Sequence, residues 1–195
     1  MELKYALIIA FGFLTGGILF SYHLPIWLRG VDVTALGADH NPGTANAVRY
    51  AGAPVGLLCL MADMFKGFLP VRVGMEWLNM ESLWFAAVMA APVLGHAIAP
   101  FYRRIPGGKA IAVSFGVLMA LRPVTDAVWI LAGLYILFSL VIVIRPDERR
   151  TVWTFAVFAI WMLTVRLKRQ KAIALGCAVM SVVVMWKNRK APAAG

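Results

Sequence analysis

Residues 5–28 read YALIIAFGFLTGGILFSYHLPIWL, with no Asp, Glu, Lys or Arg between Lys4 and Arg29. Wound as an α-helix, such a run exceeds the roughly 20 residues that cross the hydrocarbon core of a bilayer. From Tyr5 to Phe20 it mimics the apolar core of a signal peptide, but it lacks a basic leading segment and a clear small-residue cleavage site. It therefore reads as a first membrane span.

The same pattern recurs along the chain. Apolar runs separated by polar or Gly/Pro breaks predict helices at about 5–28, 53–71, 82–102, 110–121, 127–145, 151–166 and 171–186. The 195 residues are 62% hydrophobic and 14% charged, with a mean hydropathy of +0.79. Soluble domains hold only roughly 45–50% apolar residues. The predicted fold is all-α, a polytopic integral membrane bundle of about seven helices, five to seven of them transmembrane. The range arises because 110–121 and the last two runs are short enough to tilt, pair as a hairpin or stop short of crossing. Residues 1–190 are expected to form a single transmembrane domain and 191–195 a disordered tail.

A net charge of +10, from 19 Lys and Arg against 9 Asp and Glu, would point to nucleic acid in a soluble protein. In a membrane protein it points to anionic phospholipid, to orientation by the positive-inside bias and to a phosphorylated substrate. No nucleic acid partner is expected. With the amino terminus outside, Arg29, Arg49, Arg103, Arg104, Lys109, Arg145, Arg149 and Arg150 fall in inner loops, and Lys187, Arg189 and Lys190 in an inner tail. Arg166, Lys168, Arg169 and Lys171 then lie outside, against the trend. One deduction is independent of absolute orientation: the loops 29–50 and 103–109 are separated by two crossings and belong on one side. No inverted repeat of the transporter kind is visible.

These two loops hold the residues with chemistry to offer. Asn41-Pro42-Gly43-Thr44-Ala45-Asn46, with Arg49 a turn later, supplies amide, hydroxyl and backbone donors for a phosphate. The same wording also fits a capped helix entry, and both readings stand. Gly107-Gly108-Lys109 sets an ammonium after two flexible residues, as a phosphate ligand or as a snorkelling interfacial lysine. His96 lies in an apolar run, where it either bridges helices or touches substrate. Asp63 and Lys66 can pair on one helix face. A rise of about 1.5 Å per residue carries Lys66 roughly 25 Å from Arg49, so a structural role is expected for the pair. Gly12 with Gly16, and Gly52 with Gly56, have helix-packing spacing. Cys59 and Cys177 lack metal-ligand or redox spacing, no metal cluster is evident, and no cofactor is expected.

Taken together, the ordered motifs resemble the PlsY-type acyl-phosphate:glycerol-3-phosphate acyltransferases. The resemblance rests on Gly17 to Tyr22, a Val-Asp-Val step, Asn-Pro-Gly-Thr-Ala-Asn, Asp-x-x-Lys-Gly (Asp63 to Gly67), Gly-His-x-x-x-Pro-Phe (Gly95 to Phe101) and Gly-Gly-Lys. It covers about the first 120 residues and is similar to a divergent branch. It implies about seven helices around a cytoplasm-facing cleft in the bacterial inner membrane. Acyl phosphate would be the donor and sn-glycerol 3-phosphate the acceptor, giving lysophosphatidate and phosphate. By position, Lys109 and Asn41 would be catalytic. Asn41, Gly43, Thr44, Asn46, Arg49, Gly107, Gly108 and Lys109 would bind substrate phosphate, with Asp39 and His96 as secondary candidates. The chain departs from the family at Gly17-Ile18-Leu19, at Thr34 in place of an arginine, at Ala38-Asp39-His40-Asn41, at Ala110, and after the last helix, where at best Lys187-Asn188 stands for a His-Arg-Glu-Asn element. Those departures motivate a competing reading, a catalytically silent relative that binds lipid phosphate or serves as a membrane assembly partner. Oligomeric state is left open by the sequence.

Overall fold

A computed structural model describes residues 2–189; the segment 191–195, predicted to be a disordered tail, lies outside the described residues. The opening run forms two helices, α1 (Glu2–Gly17) and α2 (Phe20–Arg29). The break falls after Gly16-Gly17, two residues of poor helix propensity, and leaves the Ile18–Leu19 peptide outside both helices. Two short helices follow, α3 (Val33–Leu36), capped by the Asp32 carboxylate, and α4 (Thr44–Ala51). Gly52, at φ 94°, turns the chain sharply into α5 (Ala53–Trp77). That φ is one only glycine adopts readily.

The remaining rods are α6 (Trp84–Ile98), α7 (Ile111–Ala120), α8 (Ala127–Ile136), α9 (Asp147–Trp161) and α10 (Lys171–Asn188). α8 continues as a π-helical turn over Leu137–Val141, and α9 over Met162–Arg166. Among the described residues these make seven rods, α1 and α2 counting as one, at the positions the sequence predicts. Three are long and apolar enough to cross a membrane: Glu2–Arg29, Ala53–Trp77 and Lys171–Asn188. With 10 residues, α7 rises only about 15 Å, half a hydrocarbon core.

Packing runs α1 on α6, α5 on α7, and α6 and α9 on α10. Small residues allow it. A Cβ on Gly16 would strike the Pro92 carbonyl, and one on Gly95 the Phe13 carbonyl, so α1 and α6 touch backbone to backbone. Gly56 meets Val48 of α4, whereas Gly52 has open space and serves the turn. Phe85, Met89, Phe155, Phe158 and Met180 fill the centre. Large side chains such as Leu3, Leu140 and Val141 face outward, the arrangement a hydrocarbon solvent selects. Trp27, Trp77, Trp84, Trp153 and Trp186 are exposed toward the rod ends, where indole rings suit a membrane interface.

Candidate active site

Because the rods alternate in direction, the α2–α5 connection, the α6–α7 loop, the start of α9 and the end of α10 share one end of the bundle. The two loops predicted to lie on one side do so, and an ion pair joins them. A cleft of about 610 Å³ opens there, lined by Asp39, Asn41, Gly43, Thr44, Asn46, Arg49, Lys109 and, further along, Tyr135, Glu148 and Arg150.

Lys109 is its centre. The ammonium lies 2.7 Å from Asp39 Oδ2 and 2.8 Å from Glu148 Oε1. Asp39 Oδ1 in turn accepts from Asn46 Nδ2 at 2.8 Å and from the Asn41 N–H at 3.2 Å. Asn46 Nδ2 also donates to the Asn41 carbonyl at 2.9 Å, and Asn188 Nδ2 reaches the Lys109 carbonyl at 3.4 Å. Burial opposes the charge on both partners, yet the hydrogen bonds and mutual attraction exceed it. Lys109 is held above the ordinary lysine value by Asp39 and Glu148, and Asp39 below the ordinary carboxylate value by Lys109 and Asn46.

Each predicted residue now has a place. Asn41 and Asn46 brace the loop around Asp39. Gly43 precedes α4 without a side-chain cap, so the loop is both cleft wall and helix entry. Thr44 Oγ1 is buried with no protein partner among the described residues, as are Tyr135 OH and Arg150 Nε. Arg49 is exposed on the wall and has no carboxylate partner among the described residues. Gly107 and Gly108 are differently placed: both are buried and absent from the cleft wall. A Cβ on Gly107 would strike the Ala97 carbonyl and one on Gly108 the His96 ring, and the Gly108 N–H donates to the His96 carbonyl at 3.1 Å. These glycines seat the loop on the end of α6 so that Lys109 alone reaches the cleft.

His96 lies on the cleft wall, and behind it runs a buried polar chain. Lys66 pairs with Asp63 at 2.8 Å, contacts His96 Nδ1 at 2.8 Å and donates to the Ile18 carbonyl. Ser21 Oγ donates to Asp63 Oδ2. The pair is not carried to the far side of the bundle, for Asp63 lines the same cleft as Arg49 and Lys66 meets His96 on its wall. Axial rise was counted through Gly52, but α4 and α5 are separate helices that pack side by side. Glu148, Tyr135 and Thr151 were not singled out in the sequence. The available signal was Asp147 and Glu148 in the first turn of a helix after an apolar run.

Residues 6–193 match the family described as Glycerol-3-phosphate acyltransferase. Glycerol-3-phosphate acyltransferase 2 of Thermotoga maritima is 38% identical over 125 residues, covering 64% of this chain and 62% of that protein. The glycerol-3-phosphate acyltransferase of Pseudomonas paraeruginosa is 32% identical over 178 residues, covering 91% of this chain and 88% of the relative. In fold, the chain is similar to the crystal structure of PlsY (YgiH), an integral membrane glycerol 3-phosphate acyltransferase, in its lysophosphatidic acid form, with a TM-score of 0.80 at 21% identity over 95% of this chain and 88% of that one. The glycerol 3-phosphate form gives 0.79 at 22%, with the same coverage. The fold is an all-helical membrane bundle, and the chain belongs to the glycerol-3-phosphate acyltransferase family.

Proposed function

We propose that this protein transfers an acyl chain from acyl phosphate to sn-glycerol 3-phosphate in the bacterial inner membrane, releasing lysophosphatidate and inorganic phosphate for phospholipid synthesis. The observation that carries the reading is Lys109. It stands in a cleft walled partly by Ile111 and Phe115, with two carboxylates fixing it and a third N–H left for an anion.

The chemistry requires a phosphate on each substrate, and the cleft offers three cations, Lys109, Arg49 and Arg150. The acceptor hydroxyl oxygen forms a bond to the acyl carbon as the acyl carbon–oxygen bond to phosphate breaks. The hydroxyl proton leaves on the departing phosphate. Asp39 and Glu148 are both engaged by Lys109, which makes either a poor base. Rate then comes from aligning two anions and from stabilising charge on the leaving phosphate. Membrane phospholipids surround the site, and the basic residues at its end of the bundle favour a cytoplasmic location for the active-site loops.

The test is formation of lysophosphatidate and phosphate from palmitoyl phosphate and glycerol 3-phosphate by purified protein in lipid mesophase, beside Lys109→Ala. Turnover that disappears in the variant supports both the activity and its anion site. Folded wild-type protein that binds phosphate without turnover would instead make this chain a silent relative.

A further inference from the structure

The buried chain behind His96 has a direction, set by the protons available. A lysine ammonium has three N–H donors and no acceptor. Lys66, only 4% exposed, donates to the Ile18 carbonyl, contacts His96 Nδ1 and is ion-paired with Asp63 Oδ1 at 2.8 Å. Asp63 also accepts from Ser21 at its other oxygen, the arrangement of a carboxylate paired with an ammonium. His96 Nδ1 must therefore accept, which leaves the ring proton on Nε2.

Among the described residues the one hydrogen bond of the ring is at Nδ1, and Nε2 is not among the fully enclosed polar atoms that lack a partner. The ring lies on the cleft wall, and Nε2 abuts Gly108, the residue before Lys109. A donor at the wall of a cleft is free to meet what enters beside Lys109, and a phosphoryl oxygen there would be its acceptor.

We infer that His96 is a neutral hydrogen-bond donor to a phosphoryl oxygen of the substrate, with its proton fixed on Nε2 by Lys66. His96 is then a catalytic residue and not a base, while Lys66 is a positioning residue that acts through it. The inference rests on the acyltransferase reading for the identity of the phosphoryl group. Both substrates carry one, and kinetics separate them: the KM that rises in a His96 variant names the group.

The experiment is nitrogen NMR of full-length, ¹⁵N-histidine-labelled protein in nanodiscs, with the His96 signal assigned by His96→Gln, together with steady-state kinetics. The expected wild-type signal has a protonated Nε2 and an unprotonated Nδ1. The paired variant Asp63→Asn/Lys66→Met, which removes the donor without stranding a charge, should show mixed tautomers. His96→Ala should lower turnover about 10²-fold. Glutamine, whose amide reaches the Nε2 position, should regain most of that loss, and asparagine, which reaches the Nδ1 position, should not. A proton on Nδ1, a charged ring in the wild type, or equal rescue by asparagine overturns the inference. If wild-type protein does not turn over, the functional reading fails. The inference is then decided by the tautomer and by whether inorganic phosphate shifts the Nε2–H resonance.

Discussion

Two lysines, each held by carboxylate, sit in this molecule under opposite conditions. Lys66 is almost wholly buried and is enclosed by protein partners, the Ile18 carbonyl, His96 Nδ1 and the ion-paired Asp63. Lys109 has a side chain 23% exposed, and its two carboxylate partners leave one donor over. An ammonium enclosed by protein partners is part of the scaffold; one with a donor facing a cleft can bind. Burial separates them, since both are lysines near the same end of α6.

Removing either lysine should break the comparison in a different observable. Lys66→Ala strands the buried Asp63 carboxylate, a loss of about 3–5 kcal/mol, visible as a large fall in thermal unfolding temperature. A melting curve matching wild type would mean that the buried pair does not brace the fold. Lys109→Ala should instead lower kcat about 10²–10³-fold while the protein remains folded, checked by size exclusion and the assay above. Glu148→Gln sharpens the contrast, because it removes one competitor for Lys109. Inhibition by inorganic phosphate should tighten by about fivefold, near 1 kcal/mol, in a competition assay.

The smallest expected effect is in pH dependence. Asp39 is depressed on folding, so its stabilising contribution is present above the ordinary carboxylate value and is lost as pH falls through its lowered one. Lys109 is raised, so its contribution persists below the ordinary lysine value and is lost as pH climbs through the raised one. Thermal unfolding of wild type minus that of Asp39→Asn should be flat between roughly pH 5 and 10. A slope near neutrality would contradict the pairing.

Much of this was legible in the amino-acid order. The apolar runs carried the rods because the required length of a span is set by the bilayer, and the two polar loops carried Asp39, Asn46 and Lys109. What escaped depended on approach in space. The break at Ile18–Leu19 is sustained by Lys66 and Tyr102, far along the chain. The approach of the Asp63–Lys66 pair to the cleft depends on the turn at Gly52, which axial rise along one helix ignores. Glu148 comes from a region outside the family resemblance, and its role is visible only once α9 meets the α6–α7 loop.

The peptide unit between Ile18 and Leu19 gives up its carbonyl to Lys66 and its N–H to the Tyr102 hydroxyl, 3.2 Å away. Both clamps are translated later than the segment they hold. A ribosome-bound chain ending before Lys66 has nothing of its own to cover those groups at bilayer depth, where leaving them bare is expensive. Before Lys66 and Tyr102 are made the run is better off unbroken, and the bend becomes a late acquisition, imposed on an earlier-made segment by later-made ones.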